Sequence, residues 1–172
     1  MKYDLCVVME DKNSILHQKL HTEVLNYYAK WYGKQKKFFV IRKGKYGKPY
    51  ILLYGHDTDL YFNISHTRGI GVVVFSRQEI GIDIEKIECF NRRIVERFYC
   101  SEEKKYIFDE KDEEKRKQHF YEIWTKKEAY LKWSGTGIRG ESMRINVLKL
   151  RYQFEIWDVD EEQYAIAIYS QQ

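Results

Sequence analysis

At 172 residues, with 44% hydrophobic, 16% aromatic and 33% charged side chains, the chain can bury the core of one ordinary domain or of two small packed lobes. A net charge of +4 and a pI near 8.8 make it mildly basic, which suits a partner bearing phosphates or carboxylates. Acidic and basic residues alternate through 101–119 as on a solvated helix face, arguing against a nucleic-acid stripe, and Cys6, Cys89 and Cys100 form neither a CxxC pair nor an even set, arguing against a zinc site or a disulfide framework.

Residues 5–9 (LCVVM) read as an opening strand, too short for a secretory signal, and no stretch reaches membrane-spanning length, so a cytoplasmic setting is expected. Over 14–31, Ile15, Leu20, Val24, Leu25, Tyr28 and Trp31 approximate a helical period, with Ser14 as N-cap and Gly33 as stop. Residues 38–41 are strand-like and lead into the turn-rich KGKYGKPY of 43–50. Strands are expected at 50–54, 60–64, 71–75 and 79–85, helices from about 101 and over 114–133, and β-like segments at 144–150, 152–157 and 164–169. Strands and helices mixed without regular alternation predict an α+β fold. No linker or repeat by identity divides the chain.

Three segments carry chemistry. In Gly81-Ile82-Asp83-Ile84-Glu85, a strand places Asp83 and Glu85 on one face and the isoleucines on the other. Two carboxylates so placed repel unless a cation lies between them, and their hard oxygens suit Mg²⁺. Alone, the pattern is equally an amphipathic strand with a wet acidic face. In 124–132 (WTKKEAYLK), Trp124, Glu128 and Lys132 lie along one helix face. Glu128 there is a metal ligand or a base and the lysines grip phosphate, or the set is an ordinary exposed Glu–Lys pair. In 63–67 (NISHT), His66 beside two hydroxyls and an amide offers donors to a phosphate oxygen, or occupies a plain turn.

Order and spacing join the three. The sequence N-I-S-H-T, then G-I-D-I-E, then W-T-K-K-E-A-Y-L-K resembles the signature of the phosphopantetheinyl transferase superfamily. With Tyr46-Gly47-Lys48-Pro49 upstream, it is similar to the two-lobed branch that activates peptide and polyketide synthetases, the surfactin-synthetase-activating type. The resemblance covers about 45–140 and is weak on either side.

That resemblance implies a monomer of two similar α+β lobes in pseudo-two-fold arrangement, 1–75 and 76–172, with coenzyme A and Mg²⁺ in the cleft between them. Asp83, Glu85 and Glu128 would hold the metal. Lys132, with Lys127 nearby, would neutralise phosphate. His66 and Ser65 would contact a CoA phosphate, and Gly47 and Lys48 would line the nucleotide end. Where the family carries a basic patch on the first helix, His17, Gln18 and Lys19 stand here without the usual arginine, leaving Lys19 for the 3′-phosphate. The chain is short for this branch, so its N-terminal lobe reads as trimmed.

The implied reaction is attack of a carrier-protein serine on the β-phosphorus of CoA, releasing 3′,5′-ADP, with Asp83, Glu128 and Lys132 as the catalytic set. Glu128 or a metal-held water takes the hydroxyl proton. The carrier is of acyl or peptidyl type, and Arg92, Arg93 and Arg97 after the metal-bearing strand form either its docking patch or a solvated helix face. The alternatives are a Mg²⁺-dependent phosphohydrolase or nuclease, and a catalytically inert interaction module of the same fold.

Overall fold

The computed structural model describes residues 2–137 and 142–171. In chain order it runs β1 (Asp4–Met9), α1 (Asn13–Tyr32), β2 (Phe39–Lys43), β3 (Pro49–Leu53), a two-residue β4 (His56–Asp57), β5 (Tyr61–Thr67), β6 (Ile70–Ser76), β7 (Gly81–Lys86), α2 (Arg92–Phe98), α3 (Ser101–Phe108), α4 (Glu113–Ser134), β8 (Gln153–Val159) and β9 (Glu162–Tyr169). Among the described residues the strands form three sheets ordered β1-β6-β5, β2-β3-β4 and β7-β9-β8, antiparallel throughout. The fold is α+β, as the irregular strand–helix order implies.

Strand β6 shows how the layers assemble. It is buried along its whole length because both faces are covered. Val73 and Phe75 pack on Leu16, Leu20, Val24 and Tyr28 of α1. Val72 and Val74 pack on Ile82 and Ile84 of β7 and on Tyr164, Ile166 and Ile168 of β9. Helix α4 covers the far side of the second sheet, with Ala129 against Ala167 and Tyr169. The order from one side to the other is therefore α1, sheet β1-β6-β5, sheet β7-β9-β8, α4.

Two glycines let the helices sit this close. A Cβ on Gly71 would lie 2.6 Å from Leu20 Cδ1 of α1. A Cβ on Gly81 would lie 2.0 Å from the Ala129 carbonyl oxygen and 2.5 Å from the Trp133 nitrogen, so α4 rests its backbone directly on β7.

The boundaries depart from the expected ones at three places. Helix α1 starts at Asn13, capped by Lys12 without a side-chain bond, so Ser14 lies inside it; the stop at Gly33 is as expected, in the left-handed region at φ 62. Residues 144–150 form no strand: Arg144 ends one 3₁₀ turn, Ser142–Arg144, and Val147–Lys149 make another. Side chains, not a neighbouring strand, satisfy that backbone: Lys127 donates to the Met143 and Ile145 carbonyls, and Glu103 accepts from the Val147 N–H. Helix α2 is not among the elements expected in chain order, though the solvated helix face weighed for Arg92, Arg93 and Arg97 falls on it. Asn91 caps it by accepting from the Arg93 N–H, and Val95 is its one buried residue.

Candidate active site

The site lies where β5, β7 and α4 meet. The free edge of β7 faces β5, and two polar side chains of β5 replace the missing ladder. Asn63 Oδ1 accepts from the Ile82 N–H at 3.1 Å, and Ser65 Oγ accepts from the Ile84 N–H at 3.4 Å. Both side chains are buried, so these bonds fulfil an obligation as well as fixing register.

With Ile82 and Ile84 turned into the sheet–sheet core, Asp83 and Glu85 face α4. The two elements match in pitch: four residues advance a helix by about 6 Å and two residues advance a strand by about 6.6 Å. Trp124, Glu128 and Lys132 therefore run in step with Glu85 and Asp83. The Trp124 indole N–H donates to Glu85 Oε1 at 3.4 Å, and the Lys132 ammonium donates to Asp83 Oδ1 at 2.7 Å. Lys132 also donates to Ser65 Oγ at 2.7 Å, and that hydroxyl donates to Asp83 Oδ1 at 2.8 Å.

Negative charge is concentrated and incompletely compensated here. Burial, followed by the Asp83 charge, pushes Glu85 up to about 7. Burial and Asp83 push Glu128 up to about 7 as well, with Lys132 opposing. Asp83 Oδ2 and Glu128 Oε1 are buried with no hydrogen-bond partner. Orphaned anionic oxygens of this kind are costly unless something electropositive meets them, and hard oxygens fit a Mg²⁺-like cation. Among the described residues no three His, Cys, Asp or Glu side chains already close around one point; Lys132 holds one of the oxygens such an ion would need.

A cleft of about 400 Å³ opens beside these groups, lined by Gly47, Lys48, Asn63, Glu128 and Lys132 among others. Gly47, at φ 87, completes the turn between β2 and β3 that brings Lys48 across to α4, where its ammonium pairs with Glu79 and donates to the Trp133 carbonyl at 2.7 Å. A second hollow of about 440 Å³ continues past Tyr46 and Lys48 toward Tyr28 and Phe62. On β5, the His66 ring meets His17 of α1 edge-on at 4.1 Å, and burial with that neighbour lowers its pKa.

The sequence profile of the 4′-phosphopantetheinyl transferase superfamily matches residues 79–171, more than half of the chain and the part holding β7 and α4. This chain belongs to that superfamily. It is similar to the 4′-phosphopantetheinyl transferase gsp of Aneurinibacillus migulanus, at 38% identity over 100 residues, covering 58% of this chain and 39% of that protein. It is also similar to the 4′-phosphopantetheinyl transferase Sfp of Bacillus subtilis (strain 168), at 36% over 94 residues, 55% of this chain and 40% of that one. A eukaryotic relative, the L-aminoadipate-semialdehyde dehydrogenase-phosphopantetheinyl transferase of Candida glabrata, is 32% identical over 114 residues, 61% of this chain and 42% of that one. The chain spans about two fifths of the length of the curated relatives it matches.

Within this superfamily member the structure gathers Asp83, Glu85, Glu128, Lys132 and Ser65, and sets Gly47 and Lys48 on the same cleft. Lys127 is a correction. It is fully buried, paired with Glu103 at 2.8 Å, and its remaining donors are held by Met143 and Ile145, so no ammonium is free for a phosphate. Lys19 lies on α1 in an ion pair with Glu10 at 2.5 Å, half exposed. Three participants have no place in the sequence-based site: Trp124 as a donor to Glu85, Glu103 as the partner of Lys127, and His17 against His66. The four-residue step from Trp124 to Glu128 was the available signal for the first. The other two are pairings across the fold that no local pattern carries.

Proposed function

We propose that the chain transfers the 4′-phosphopantetheine of coenzyme A to a serine of an acyl or peptidyl carrier protein and releases 3′,5′-ADP. The observation that carries this reading is the juxtaposition of orphaned Asp83 and Glu128 oxygens with the Lys132 ammonium beside one cleft, in a chain of this superfamily. Mg²⁺ held by Asp83, Glu85 and Glu128, when bound, supplies charge neutralisation for the pyrophosphate.

The chain's own residues do the rest. Lys132 and Lys48 attract the phosphates, and His66 on β5 presents an imidazole to a phosphate oxygen, with Ser65 beside it holding the Lys132 ammonium. Lys19 is reserved for the 3′-phosphate. The carrier serine oxygen bonds to the β-phosphorus of CoA as the bond from that phosphorus to the 3′,5′-ADP oxygen breaks. Glu128, which lines the cleft, or a water held beside it takes the hydroxyl proton, and Lys132 offsets charge growing on the departing group.

In this reading α1 with sheet β1-β6-β5 and α4 with sheet β7-β9-β8 are two lobes, 1–75 and 76–172, of a monomer with the cleft along their seam. Distinct cores under α1 and α4 support the division, and the core between the two sheets joins the lobes. Arg93 and Arg97 of α2, exposed after β7, and Arg92, over the Phe108 ring, would receive an acidic carrier. A reducing cytoplasm is the setting for its three free cysteines. No helix among the described residues is long and apolar enough to cross a membrane.

The test incubates the chain with CoA, Mg²⁺ and a panel of carrier domains, following 3′,5′-ADP and carrier mass together. Release of 3′,5′-ADP only with a carrier whose serine is intact is expected. Steady release without any carrier would make the chain a phosphohydrolase, and no release with any carrier would favour an inert module.

A further inference from the structure

The Lys132 ammonium lies 2.7 Å from both Asp83 Oδ1 and Ser65 Oγ. Asp83 is 3% exposed, so this contact is its main charge compensation, and its second oxygen has no partner. The Lys132 side chain itself is 29% exposed and lines the cleft. A divalent ion bound by the same carboxylate, even on its open oxygen at about 2.1 Å, would sit close to the ammonium, and the two cations repel. The flexible stem allows Lys132 to leave, provided another anion receives it.

We propose that Lys132 is a displaceable internal counter-ion: it compensates the Asp83 charge in the free chain and leaves when a phosphate ligand draws the ammonium into the cleft, which strengthens the hold of Asp83 on a cation. This rests on the reading of Asp83, Glu85 and Glu128 as a cation site. Cation and phosphate ligand are then coupled, each binding more tightly in the presence of the other, because both oppose the same ion pair. The free chain takes up cation weakly, and a bare divalent ion does not lock the site ahead of its phosphate substrate.

The experiment is calorimetric titration of the full chain with Mn²⁺ alone, without CoA. Lys132→Met should bind Mn²⁺ about tenfold more tightly than the unchanged chain, within the usual range of such couplings. Ser65→Ala, which removes the other anchor of the ammonium, should give a smaller gain in the same direction. Lys48→Met deletes a charge from the same cleft but not from Asp83, since Lys48 is held by Glu79 and the Trp133 carbonyl, and should change affinity about twofold or less. Adding Asp83→Asn to Lys132→Met should erase the gain. Equal Mn²⁺ affinity with and without Lys132, or an equal gain from Lys48→Met, overturns the proposal and leaves the cation site intact. No Mn²⁺ uptake by either the unchanged chain or Lys132→Met overturns it together with the carboxylate site itself. Should Lys132→Met fail to fold by near-ultraviolet circular dichroism, Ser65→Ala decides: a gain supports the proposal and none overturns it.

Discussion

Two of the lysine–carboxylate pairs on helix α4 reach other elements, at nearly equal length: Lys127–Glu103 at 2.8 Å and Lys132–Asp83 at 2.7 Å. The first is sealed, with both side chains at 0% exposure, every lysine donor placed and the Tyr99 ring 5.4 Å away. Glu103 also accepts from the Cys100 and Val147 N–H groups. The second opens on a cleft and leaves Asp83 Oδ2 with no donor. What separates an architectural pair from a chemical one is therefore not the ion pair but the bookkeeping around it. Where every valence is met the pair fastens α3, α4 and the 143–147 segment; where some are left open it can exchange partners.

The sharpest way to break this contrast is Lys127→Met. It strands Glu103 in the interior and should cost about 3–5 kcal/mol in urea unfolding, whereas Lys127→Met with Glu103→Met should recover most of that loss. A cost under about 1 kcal/mol for the single change would show that the sealed pair fastens nothing. Gly81→Ala comes next. Its methyl would push the α4 backbone off β7, destabilising the chain by about 1–3 kcal/mol, and should depress turnover beyond the unfolded fraction. Lys132→Met should shift unfolding by only about 1 kcal/mol, because water reaches the vacated place, while turnover falls by about a hundredfold or more. The smallest effect is expected for Arg93→Glu with Arg97→Glu: a few-fold lower kcat/KM for an acidic carrier, vanishing at high salt with kcat unchanged.

The sequence made both residues of the open pair legible as site residues, though not their pairing, and hid the sealed pair. Asp83 and Glu85 alternate with core isoleucines, and Trp124, Glu128 and Lys132 repeat every four residues, so the face each presents follows from local periodicity. Lys127 was misplaced because it adjoins Glu128 in the chain, yet one residue turns a helix by about 100°. Its spacing from Phe120, Ile123 and Leu131, all buried, puts it in the core stripe, and that pattern was readable. Its partner Glu103 was not readable, since only the packing of α3 on α4 brings the two together. The turns at 144–150 looked β-like for the same reason: their apolar residues are genuine, and the bonds that shape them come from Lys127 and Glu103. Helix α2 showed in the sequence only as the exposed arginine face, because a single buried side chain in seven residues gives no core period.

The most direct measurement is the intact mass of a carrier domain after incubation with CoA and Mg²⁺, run with the unchanged chain and with Asp83→Ala side by side. Asp83→Ala relieves repulsion on Glu85 and Glu128 and should remain folded. The unchanged chain should add one phosphopantetheine to the carrier and none to its Ser→Ala form, and Asp83→Ala should add none over the same period. Equal modification of the carrier by folded Asp83→Ala would contradict the assignment of the chemistry to this site.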